Sequence, residues 1–379
     1  MDFTLSKEHE MARTLFREFA EKEVKPLAQE VDETEEFPRE TVEKMAKLGF
    51  LGIPVPKEYG GQGCDPLTYA MCVEELSKVC GTTGVIVSAH TSLCCDPIMT
   101  YGTEEQKQKY LVPLAKGEKL GAFGLTEPGA GTDAQGQQTK AYLDGDEWVL
   151  NGSKIFITNG GAADIYIIFA MTDKSKGNHG ITAFILEDGM PGFTFGKKED
   201  KMGIHTSQTM ELVFQDVKVP AENMLGEEGK GFKIAMMTLD GGRIGVAAQA
   251  LGIAEAALAD AVEYSKQRVQ FGKPLCKFQS ISFKLADMKM QIEAARNLVY
   301  KAACKKQEGK PFTVDAAIAK RVASDVAMRV TTEAVQIFGG YGYSEEYPVA
   351  RHMRDAKITQ IYEGTNEVQL MVTGGALLR

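Results

Sequence analysis

The chain has 379 residues, of which 44% are hydrophobic and 25% charged, and its formal net charge at pH 7 is −9. A chain of this length exceeds what one compact core serves, so two or three domains or layers are expected. The acidic balance, with both signs interspersed, argues against a nucleic-acid surface but leaves room for a local basic patch that binds a small anion.

Nothing in the sequence predicts export or a membrane span. Residues 1–10 lack a basic segment followed by an apolar one, and no apolar run approaches the roughly 20 residues that cross a bilayer. The seven cysteines include no C-x-x-C pair, and the five histidines are scattered. This usage is typical of reduced thiols and not of a disulfide framework or a zinc site. We therefore expect a cytoplasmic protein without a bound metal.

Up to about residue 120, the apolar residues recur at helical spacing. Helices are predicted to begin after Ser6, at Pro38 and at Pro66, and another to cover 104–114. The segment 84–95 is small and apolar but is interrupted by hydroxyl residues and a histidine. The simpler interpretation of this segment is a buried helix, and the alternative is the wall of a pocket for an acyl chain.

From about residue 120 the pattern changes to short runs rich in β-branched and aromatic residues, separated by Gly, Asn and Asp. These runs are 120–125, 147–150, 154–158, 164–171, 181–186, 193–195 and 210–219. Because no long helical pattern separates them, they predict an antiparallel β domain and not a repeated strand–helix–strand unit.

Helical periodicity returns near residue 231 and continues to the C-terminus. The predicted helices cover 232–266, 276–307, 313–338 and a last segment after Glu363. They are apolar on more than one side, which favours a bundle and contacts between subunits. The predicted fold class is therefore α+β and multidomain. It has an N-terminal helical domain over 1–120, a middle antiparallel β domain over 121–231 and a C-terminal helical bundle over 232–379.

One acidic residue near the C-terminus is the strongest candidate for chemistry. Glu363 lies between Tyr362 and Gly364, just before the last apolar run. Gly364 permits a turn that a residue with a Cβ resists, and Thr365 or Asn366 is a natural N-cap for the last helix. Glu363 is therefore predicted to lie at a loop–helix junction and to point into a cleft. Ordinary helix capping is the alternative.

Two segments of the β region have features of a ligand site. The loop 124–133 (GLTEPGAGTD) leaves a strand and is rich in glycine, so it offers backbone N–H groups to an anion or to the polar edge of a ring. Phe156 and Thr158 end a strand on the same side, where they would give a flat ring an apolar wall and a hydrogen bond. A plain hairpin loop and ordinary strand packing remain open as alternatives.

The C-terminal helical region contributes three further features. Arg268 follows the long helix and offers forked donors to a phosphate. The glycines of 336–343 (QIFGGYGY) permit close approach of the backbone to a ligand. The common alternatives are a solvated side chain for Arg268 and a helix C-cap for the glycines. Within the long helix, Gly241 and Gly242 cost about 1 kcal/mol each relative to alanine, so a close neighbour or ligand is expected to require them.

Taken together and in this order, these motifs resemble the acyl-CoA dehydrogenase family, and most closely its bacterial short-chain (butyryl-CoA) members. The resemblance extends over essentially the whole chain and rests on 124–133, 336–343 and 362–365 (YEGT). It implies an N-terminal helical domain, a middle β domain and a C-terminal four-helix bundle, assembled as a homotetramer built from two dimers. It also implies FAD between the β domain and the C-terminal helices, completed by a second subunit.

The resemblance assigns roles to residues by their position. It implies that the flavin of the same subunit is held by Phe123, Leu125, Thr126, Gly131, Thr132, Phe156, Thr158, Thr365 and Glu367. It implies that the FAD of the neighbouring subunit is reached by Arg268, Phe271, Gln279, Gln336, Gly339 and Gly340. For the acyl-CoA substrate it implies Thr132, Asp240, Arg243, Tyr362, Glu363 and Gly364.

The resemblance also implies the chemistry of Glu363. This carboxylate would remove the proton from carbon 2 of an acyl thioester while a hydride leaves carbon 3 for the flavin, and electrons would be exchanged with an electron-transferring flavoprotein. The thioester oxygen would accept hydrogen bonds from the backbone N–H of Glu363 and a ribityl hydroxyl. A helix N-terminus favours the carboxylate and burial disfavours it. We expect burial to prevail once substrate excludes water, which raises the pKa of the base.

Some relatives place the base on the long helix, at the position that Gly242 occupies here, so the assignment rests on Glu363 alone. Leu370 stands where many relatives have Arg, and Glu367 where many have Gln. An acyl-CoA oxidase that uses oxygen, a non-enzymatic flavin-bearing DNA-protection protein of the same superfamily and a structural helical protein are the alternatives. The short C-terminal region argues against the first, the charge of −9 against the second and the specific loop motifs against the third.

Overall fold

The computed structural model describes residues 4–378, and its first region is helical, as the apolar spacing predicts. The helices are α1 (Lys7–Phe19), α2 (Ala28–Thr34), α3 (Arg39–Lys47), α4 (Pro66–Ser77), α5 (Gly81–Ser88), α6 (Asp96–Tyr101), α7 (Glu104–Gln106) and α8 (Val112–Lys116), with π-helical turns at Ala20–Val24, Ala89–Cys95 and Lys107–Leu111. The predicted helix starts are confirmed. Ser6 caps α1 by accepting a hydrogen bond from the backbone N–H of His9, and Pro38 and Pro66 lie at the starts of α3 and α4.

The middle region is a β domain, as predicted. Its strands are β1 (Gly121–Gly124), β2 (Lys140–Asp144), β3 (Glu147–Thr158), β4 (Ile165–Met171), β5 (Ile181–Glu187), β6 (Phe193–Lys198), β7 (Thr209–Pro220) and β8 (Met224–Leu225). Within the described residues they form one sheet in the order β6-β7-β3-β2-β4-β5-β8, with β1 added to β4.

Most neighbouring strands are antiparallel, but β1 is not. It runs parallel to β4, with Gly121 opposite Ile165, and β2 also meets β4 in parallel at Lys140. The reason is that β1 enters the sheet from the helical region and is followed by the long loop 125–139, so no hairpin joins it to its neighbour. Strand β2 was not predicted, because it has only five residues and its side chains, including those of Tyr142 and Leu143, are mostly exposed, so no buried and exposed alternation marks it.

The runs 147–150 and 154–158 are a single strand, β3, and not two. The register between β3 and β7 shifts between Leu150 and Gly152 and again between Lys154 and Ile157. Each shift marks a bulge that interrupts the alternation of side chains. The second bulge contains Phe156, one of the predicted ligand residues.

The C-terminal region contains α9 (Gly231–Gln267), α10 (Gln279–Gln307), α11 (Thr313–Phe338), α12 (Pro348–Ile358) and α13 (Asn366–Leu377), and a short hairpin of β9 (Val269–Gln270) and β10 (Lys273–Pro274). Helix α12 was not expected from the sequence pattern. Its buried face includes Arg351, His352 and Asp355 besides Val349 and Ala356, so the charged residues hide the apolar period.

Helix α9 is the central element of the helical regions, since it packs against α4, α5, α10, α11 and α12. In the described chain it is the one helix long and apolar enough to cross a membrane, contrary to the expectation that no run approaches that length, but 78% of its apolar stretch is buried inside the protein. Such extensive burial is typical of a helix in the core of a folded protein. The segment 84–95 also packs against α9 and is buried throughout, which confirms its interpretation as a buried helix.

The contact of α9 with α4 depends on a glycine. A Cβ added to Gly252 would lie 2.3 Å from the carbonyl oxygen of Glu74, so the backbones of the two helices meet there without space for a methyl group. Elsewhere on α9, buried alanines such as Ala250 and Ala254 allow a similarly close approach. The helical core is therefore held by small residues at short interhelical distances.

We predict that Gly252→Ala destabilises the protein by ~1–3 kcal/mol, because the two helices must separate to admit the methyl group. The measurement is the urea midpoint of unfolding. Gly374→Ala in α13 is the matched control, since no atom lies within 4 Å of its added Cβ and alanine favours a helix over glycine. A Gly252→Ala midpoint equal to that of the wild type would contradict the prediction.

Candidate active site

Glu363 lies in a tight turn between α12 and α13. Its backbone has φ +56°, and that of Gly364 has φ +88°, so two consecutive residues adopt a left-handed conformation that few residues other than glycine tolerate. Thr365 follows as the N-cap of α13 and accepts a hydrogen bond from the backbone N–H of Val368. The predicted loop–helix junction and N-cap are confirmed, and the strained φ at Glu363 is of the kind found at functional sites.

The carbonyl groups of this turn are held by side chains from three helices. The carbonyl oxygen of Glu363 accepts hydrogen bonds from Nε of Arg243 at 3.3 Å and from Nε2 of Gln369 at 3.2 Å. That of Gly364 accepts from Nζ of Lys320 and from Nε2 of Gln369, both at 2.8 Å. In the part of the chain that the structure describes, the N–H groups of Glu363 and Gly364 have no hydrogen-bond partner.

The carboxylate of Glu363 is buried, although the residue as a whole is partly exposed. Its Oε2 has no hydrogen-bond partner among the described residues. Burial raises the pKa of Glu363 to about 7, against the opposing effect of the charges of Arg243 and Lys320. Burial thus prevails in the protein by itself, before any substrate excludes water, which goes further than the sequence analysis expected.

The adjacent glycines of α9 have the close neighbours that their helical position predicts. A Cβ on Gly242 would lie 2.8 Å from Oε2 of Glu363 and 2.9 Å from a methyl carbon of Leu93, and one on Gly241 would lie 3.0 Å from Nζ of Lys306. Any side chain at 242 would therefore displace the carboxylate of Glu363.

Glu363 faces a cavity of about 180 Å³ between the β domain and α9. Seven of the predicted flavin residues line it, namely Phe123, Leu125, Thr126, Gly131, Thr132, Phe156 and Thr158. Of the predicted acyl-CoA residues, Thr132, Arg243, Tyr362, Glu363 and Gly364 line it. Ala89 and Leu93 contribute from the segment 84–95, so this buried helix is also a wall of the cavity.

The cavity offers polar groups that the protein itself leaves unpaired. The hydroxyl groups of Thr126, Thr132 and Thr158, and the backbone N–H of Gly131, have no partner within residues 4–378. Phe156 is 58% exposed and has φ +58° at the bulge of β3. The bulge breaks the alternation from which Phe156 and Thr158 were placed on one face, yet both line the cavity. An exposed aromatic side chain beside free donors fits a flat ring with a polar edge.

The loop 125–139 is fixed by a buried ion pair that the sequence analysis missed. Nζ of Lys154 lies 2.7 Å from Oε1 of Glu127 and donates to the carbonyl oxygen of Leu125 and to Oε1 of Gln137. Burial lowers the pKa of Lys154 to about 8. In Glu127 the charge of Lys154 and backbone hydrogen bonds outweigh burial and lower the pKa. A lysine inside the apolar run 154–158 is the sequence feature that indicates such a pair.

A second group of predicted residues lies outside this cavity. Arg268, Gly339 and Gly340 line an open cleft of about 490 Å³, where the guanidinium group of Arg268 lies 5.3 Å from the ring centroid of Tyr341. Gln279 and Gln336 are exposed, and Phe271 is 94% exposed. A single chain therefore does not bring these residues to Glu363.

Three other predicted residues do not line the Glu363 cavity. Asp240 is buried and pairs with Arg243 at 2.5 Å and with Thr313 at 2.6 Å. Thr365 caps α13, and Glu367 is exposed in the first turn of that helix, where hydrogen bonds from its own backbone N–H and from Thr365 lower its pKa. Glu367 therefore fits the role of an acidic residue in the first turn of a helix, where a negative charge is favourable.

Lys320 and Gln369 are the main residues of the site that the sequence analysis missed. Both contact the turn that carries Glu363. Lys320 had a recognisable pattern, because it falls at helical spacing with Ala316, Ala323 and Ala327 on the buried face of α11. A lysine in a stripe of buried alanines needs a partner inside the protein.

The fold and the site are those of an enzyme in which a buried carboxylate faces a cavity suited to a flat ring. Comparison with known proteins agrees with this division of the chain into three regions. Three family descriptions match the chain in succession: "Acyl-CoA dehydrogenase, N-terminal domain" over residues 6–118, the middle domain over 122–217 and the C-terminal domain over 229–378. The chain belongs to the acyl-CoA dehydrogenase family, a family of flavoproteins.

Individual relatives match over their full length. The "Acyl-CoA dehydrogenase, short-chain specific" of Megasphaera elsdenii is 76% identical over 383 residues and covers 100% of both chains. The solved structure of butyryl-CoA dehydrogenase from the same organism has a TM-score of 0.99, with 100% of both chains covered. A chain in the structure described as "Electron transferring flavoprotein of Acidaminococcus fermentans: Towards a mechanism of flavin-based electron bifurcation" is 64% identical, with a TM-score of 0.99 and 100% of both chains covered.

The raised pKa of Glu363 predicts how stability depends on pH. Between the ordinary value of 4.5 and the folded value of about 7, the unfolded state has released the proton and the folded state retains it, so stability falls as pH rises. Glu363→Gln removes this dependence. We therefore expect Glu363→Gln to gain up to ~3 kcal/mol in the free energy of unfolding relative to the wild type between pH 4.5 and pH 8.

Urea unfolding of both proteins at the two pH values measures this difference. Glu367→Gln is the control, because the pKa of Glu367 is lowered and its titration therefore lies at or below the acidic end of this range, so the difference from wild type should change little between the two pH values. A difference between wild type and Glu363→Gln that is the same at both pH values would show that the carboxylate is not desolvated.

Proposed function

We propose that this chain is a FAD-dependent short-chain acyl-CoA dehydrogenase that converts butyryl-CoA to crotonyl-CoA reversibly. The observation that carries the proposal is the carboxylate of Glu363, buried without a hydrogen-bond partner at the edge of a cavity. The full-length identity of 76% to a short-chain-specific relative supports a short acyl chain in the substrate.

Glu363 has the properties of a general base for the proton on carbon 2 of the acyl chain. Its Oε2 is free to accept a proton, since no group of the described chain donates to it. A pKa of about 7 places the base near the working pH, where a substantial fraction is ionised and the carboxylate still binds the proton it removes. Burial, which raises this pKa, also favours the neutral carboxylic acid that forms.

The turn provides a donor for the thioester oxygen, on which negative charge develops as the proton leaves. The backbone N–H of Glu363 has no partner in the described residues. The orientation of the turn is fixed, because the carbonyl groups of Glu363 and Gly364 accept hydrogen bonds from Arg243, Gln369 and Lys320. A donor fixed in this way stabilises the developing charge without reorganisation. We assign this N–H to the thioester oxygen.

The groups around the cavity fit FAD, which when bound supplies the acceptor for the hydride from carbon 3. Phe156 would lie against the ring system, and the free hydroxyl groups of Thr126, Thr132 and Thr158 would bond its polar edge. The ion pair of Lys154 with Glu127 holds the loop that carries two of these threonines. Phe123 and Leu125 provide apolar wall, and Thr365 and Glu367, which lie outside the Glu363 cavity at the start of α13, would reach a part of the cofactor that extends beyond it.

We further propose that Arg268, Phe271, Gln279, Gln336, Gly339 and Gly340 reach the FAD of a neighbouring subunit in a homotetramer built from two dimers. The support is their separation from the Glu363 cavity and the exposure of large aromatic side chains beside them. Phe271 is 94% exposed and Tyr343 89% exposed, and such surface is typical of a protein contact.

Electrons are exchanged with an electron-transferring flavoprotein in this proposal, and the similarity to a chain from such a system supports that partner. We place the protein in the cytoplasm, in accord with its seven free cysteines. An acyl-CoA oxidase is the second candidate, and it differs in passing the electrons to oxygen. Formation of hydrogen peroxide at the rate of butyryl-CoA turnover would favour the oxidase.

Glu363→Gln is expected to lower butyryl-CoA turnover by ~10³-fold or more, because the amide cannot accept the proton. FAD content and affinity for acyl-CoA should stay close to those of the wild type, since the amide keeps the size of the side chain. Stopped-flow flavin reduction, absorbance and equilibrium titration measure the three quantities. Loss of flavin from the variant would instead identify Glu363 as a structural residue.

Arg268→Ala is expected to lower FAD retention and the stability of the tetramer together, because the arginine would serve a cofactor shared between subunits. Flavin absorbance after gel filtration and the mass of the eluted species measure these effects. Arg39→Ala is the matched control, since Arg39 also lies over an aromatic ring, that of Phe37, but in the N-terminal region. Unchanged FAD content in Arg268→Ala would count against the inter-subunit role.

A further inference from the structure

Two lysines of the described chain are fully buried with no exposed surface, and they differ in one respect. Lys154 has a carboxylate partner, Glu127, at 2.7 Å. Lys320 has no carboxylate oxygen within 4.0 Å among residues 4–378, and its Nζ donates to the carbonyl oxygen of Gly364 at 2.8 Å and to Oδ1 of Asn366 at 2.9 Å. Lys320 therefore brings a positive charge into the interior without an adjacent counter-charge.

The acceptors of Lys320 do not depend on it for a hydrogen bond. The carbonyl oxygen of Gly364 also accepts from Gln369 at 2.8 Å. Oδ1 of Asn366 lies 3.1 Å from the hydroxyl of Ser324, whose one proton is shared with the carbonyl oxygen of Arg321 at 3.1 Å. A neutral residue of the same size at 320 would leave both acceptors paired. Burying a lysine costs several kcal/mol more than burying an apolar residue, so hydrogen bonding to these two groups does not account for the charge.

The group that responds to this charge is the carboxylate of Glu363. Burial lowers the pKa of Lys320 to about 7, and the charge of Glu363 is the largest effect that opposes burial. The ammonium form of Lys320 therefore predominates on the acidic side of neutrality, the range in which Glu363 takes up its proton. The charge of Arg243 and, after it, the charge of Lys320 in turn act to lower the pKa of Glu363. Arg243 also lies close to Glu363, but it is paired with Asp240 at 2.5 Å, so Lys320 is the neighbouring cation whose charge is not neutralised by a partner.

We propose that Lys320 is a positioning residue for Glu363: its buried ammonium group holds the turn through the carbonyl of Gly364 and supplies the positive charge that keeps the base ionised. This inference rests on the proposed function, in which Glu363 accepts the proton from carbon 2. Lys320 acts from behind the turn and does not line the cavity, so it touches neither substrate nor cofactor.

Other ionisable groups face the pair from each element packed around it. They are Asp240 and Arg243 on α9, Arg321 and Asp325 on α11, Glu367 on α13, Tyr69 on α4, and Tyr362 beside Glu363. None of these is changed by a substitution at 320. A comparison of variants at this position therefore isolates the charge of Lys320.

The test is the pH profile of kcat/KM for butyryl-CoA in Lys320→Met and Lys320→Gln holoenzymes. We expect the acidic limb to move to higher pH by about one unit, because a nearby cation lowers a carboxylate pKa by at least that amount. At pH 6 the value of kcat/KM then falls ~10-fold relative to wild type, and at pH 9 it stays within ~2-fold. Lys320→Arg keeps the charge and should retain the wild-type profile.

Ser324→Ala is the control for the hydrogen-bond network, because it removes a neutral donor to Asn366 and leaves the charge of Lys320. It should leave the pH profile unmoved. An unmoved acidic limb in Lys320→Met or Lys320→Gln would overturn the proposal, and so would failure of both to load flavin while Lys320→Arg and Ser324→Ala load it. If the wild type does not turn over butyryl-CoA, the proposed function fails instead, so the two failures are distinguishable.

Discussion

A carboxylate held away from water without a hydrogen bond is unfavourable, and the rest of the site is built around that condition at Glu363. The left-handed turn at Glu363 and Gly364 directs the side chain towards α9 and leaves its backbone N–H free. Because Gly242 has no side chain, the carboxylate of Glu363 fits against α9 at this position. Helix α9 can present that glycine only because its own burial against the neighbouring helices stabilises an element that four interior glycines weaken.

The three regions of the chain contribute different parts of the site. The β domain provides Phe156 and the threonines with free hydroxyl groups, and the N-terminal helices provide the apolar wall of Ala89 and Leu93. The C-terminal region provides Glu363 and the cations near it. Within the described residues, Glu363 and the cavity groups Phe156 and Thr158 therefore come from different regions. The packing of 84–95 between α9 and β1 therefore fixes the distance between the two halves of the site.

The sequence predicted this organisation well where local patterns decide it. The change from helical to strand spacing near 120, the return to helix near 231 and the N-cap Thr365 follow from periodicity and capping chemistry. Patterns failed where charged or polar residues are buried, as in α12, or lie on exposed strand faces, as in β2. The parallel placement of β1 and the bulge at Phe156 depend on tertiary pairing. Lys320, Gln369 and the Lys154–Glu127 pair act across long sequence separations, so only the folded chain shows what they contact.

The most direct measurement of the central claim is an anaerobic titration of the purified protein with butyryl-CoA, followed by its visible spectrum. If Glu363 is a base that removes the carbon 2 proton as the hydride leaves carbon 3, the yellow flavin band bleaches and a long-wavelength charge-transfer band appears. A flavin spectrum that stays oxidised would contradict butyryl-CoA as the substrate and direct attention to longer or branched acyl-CoA. A purified protein without any flavin would contradict the account itself.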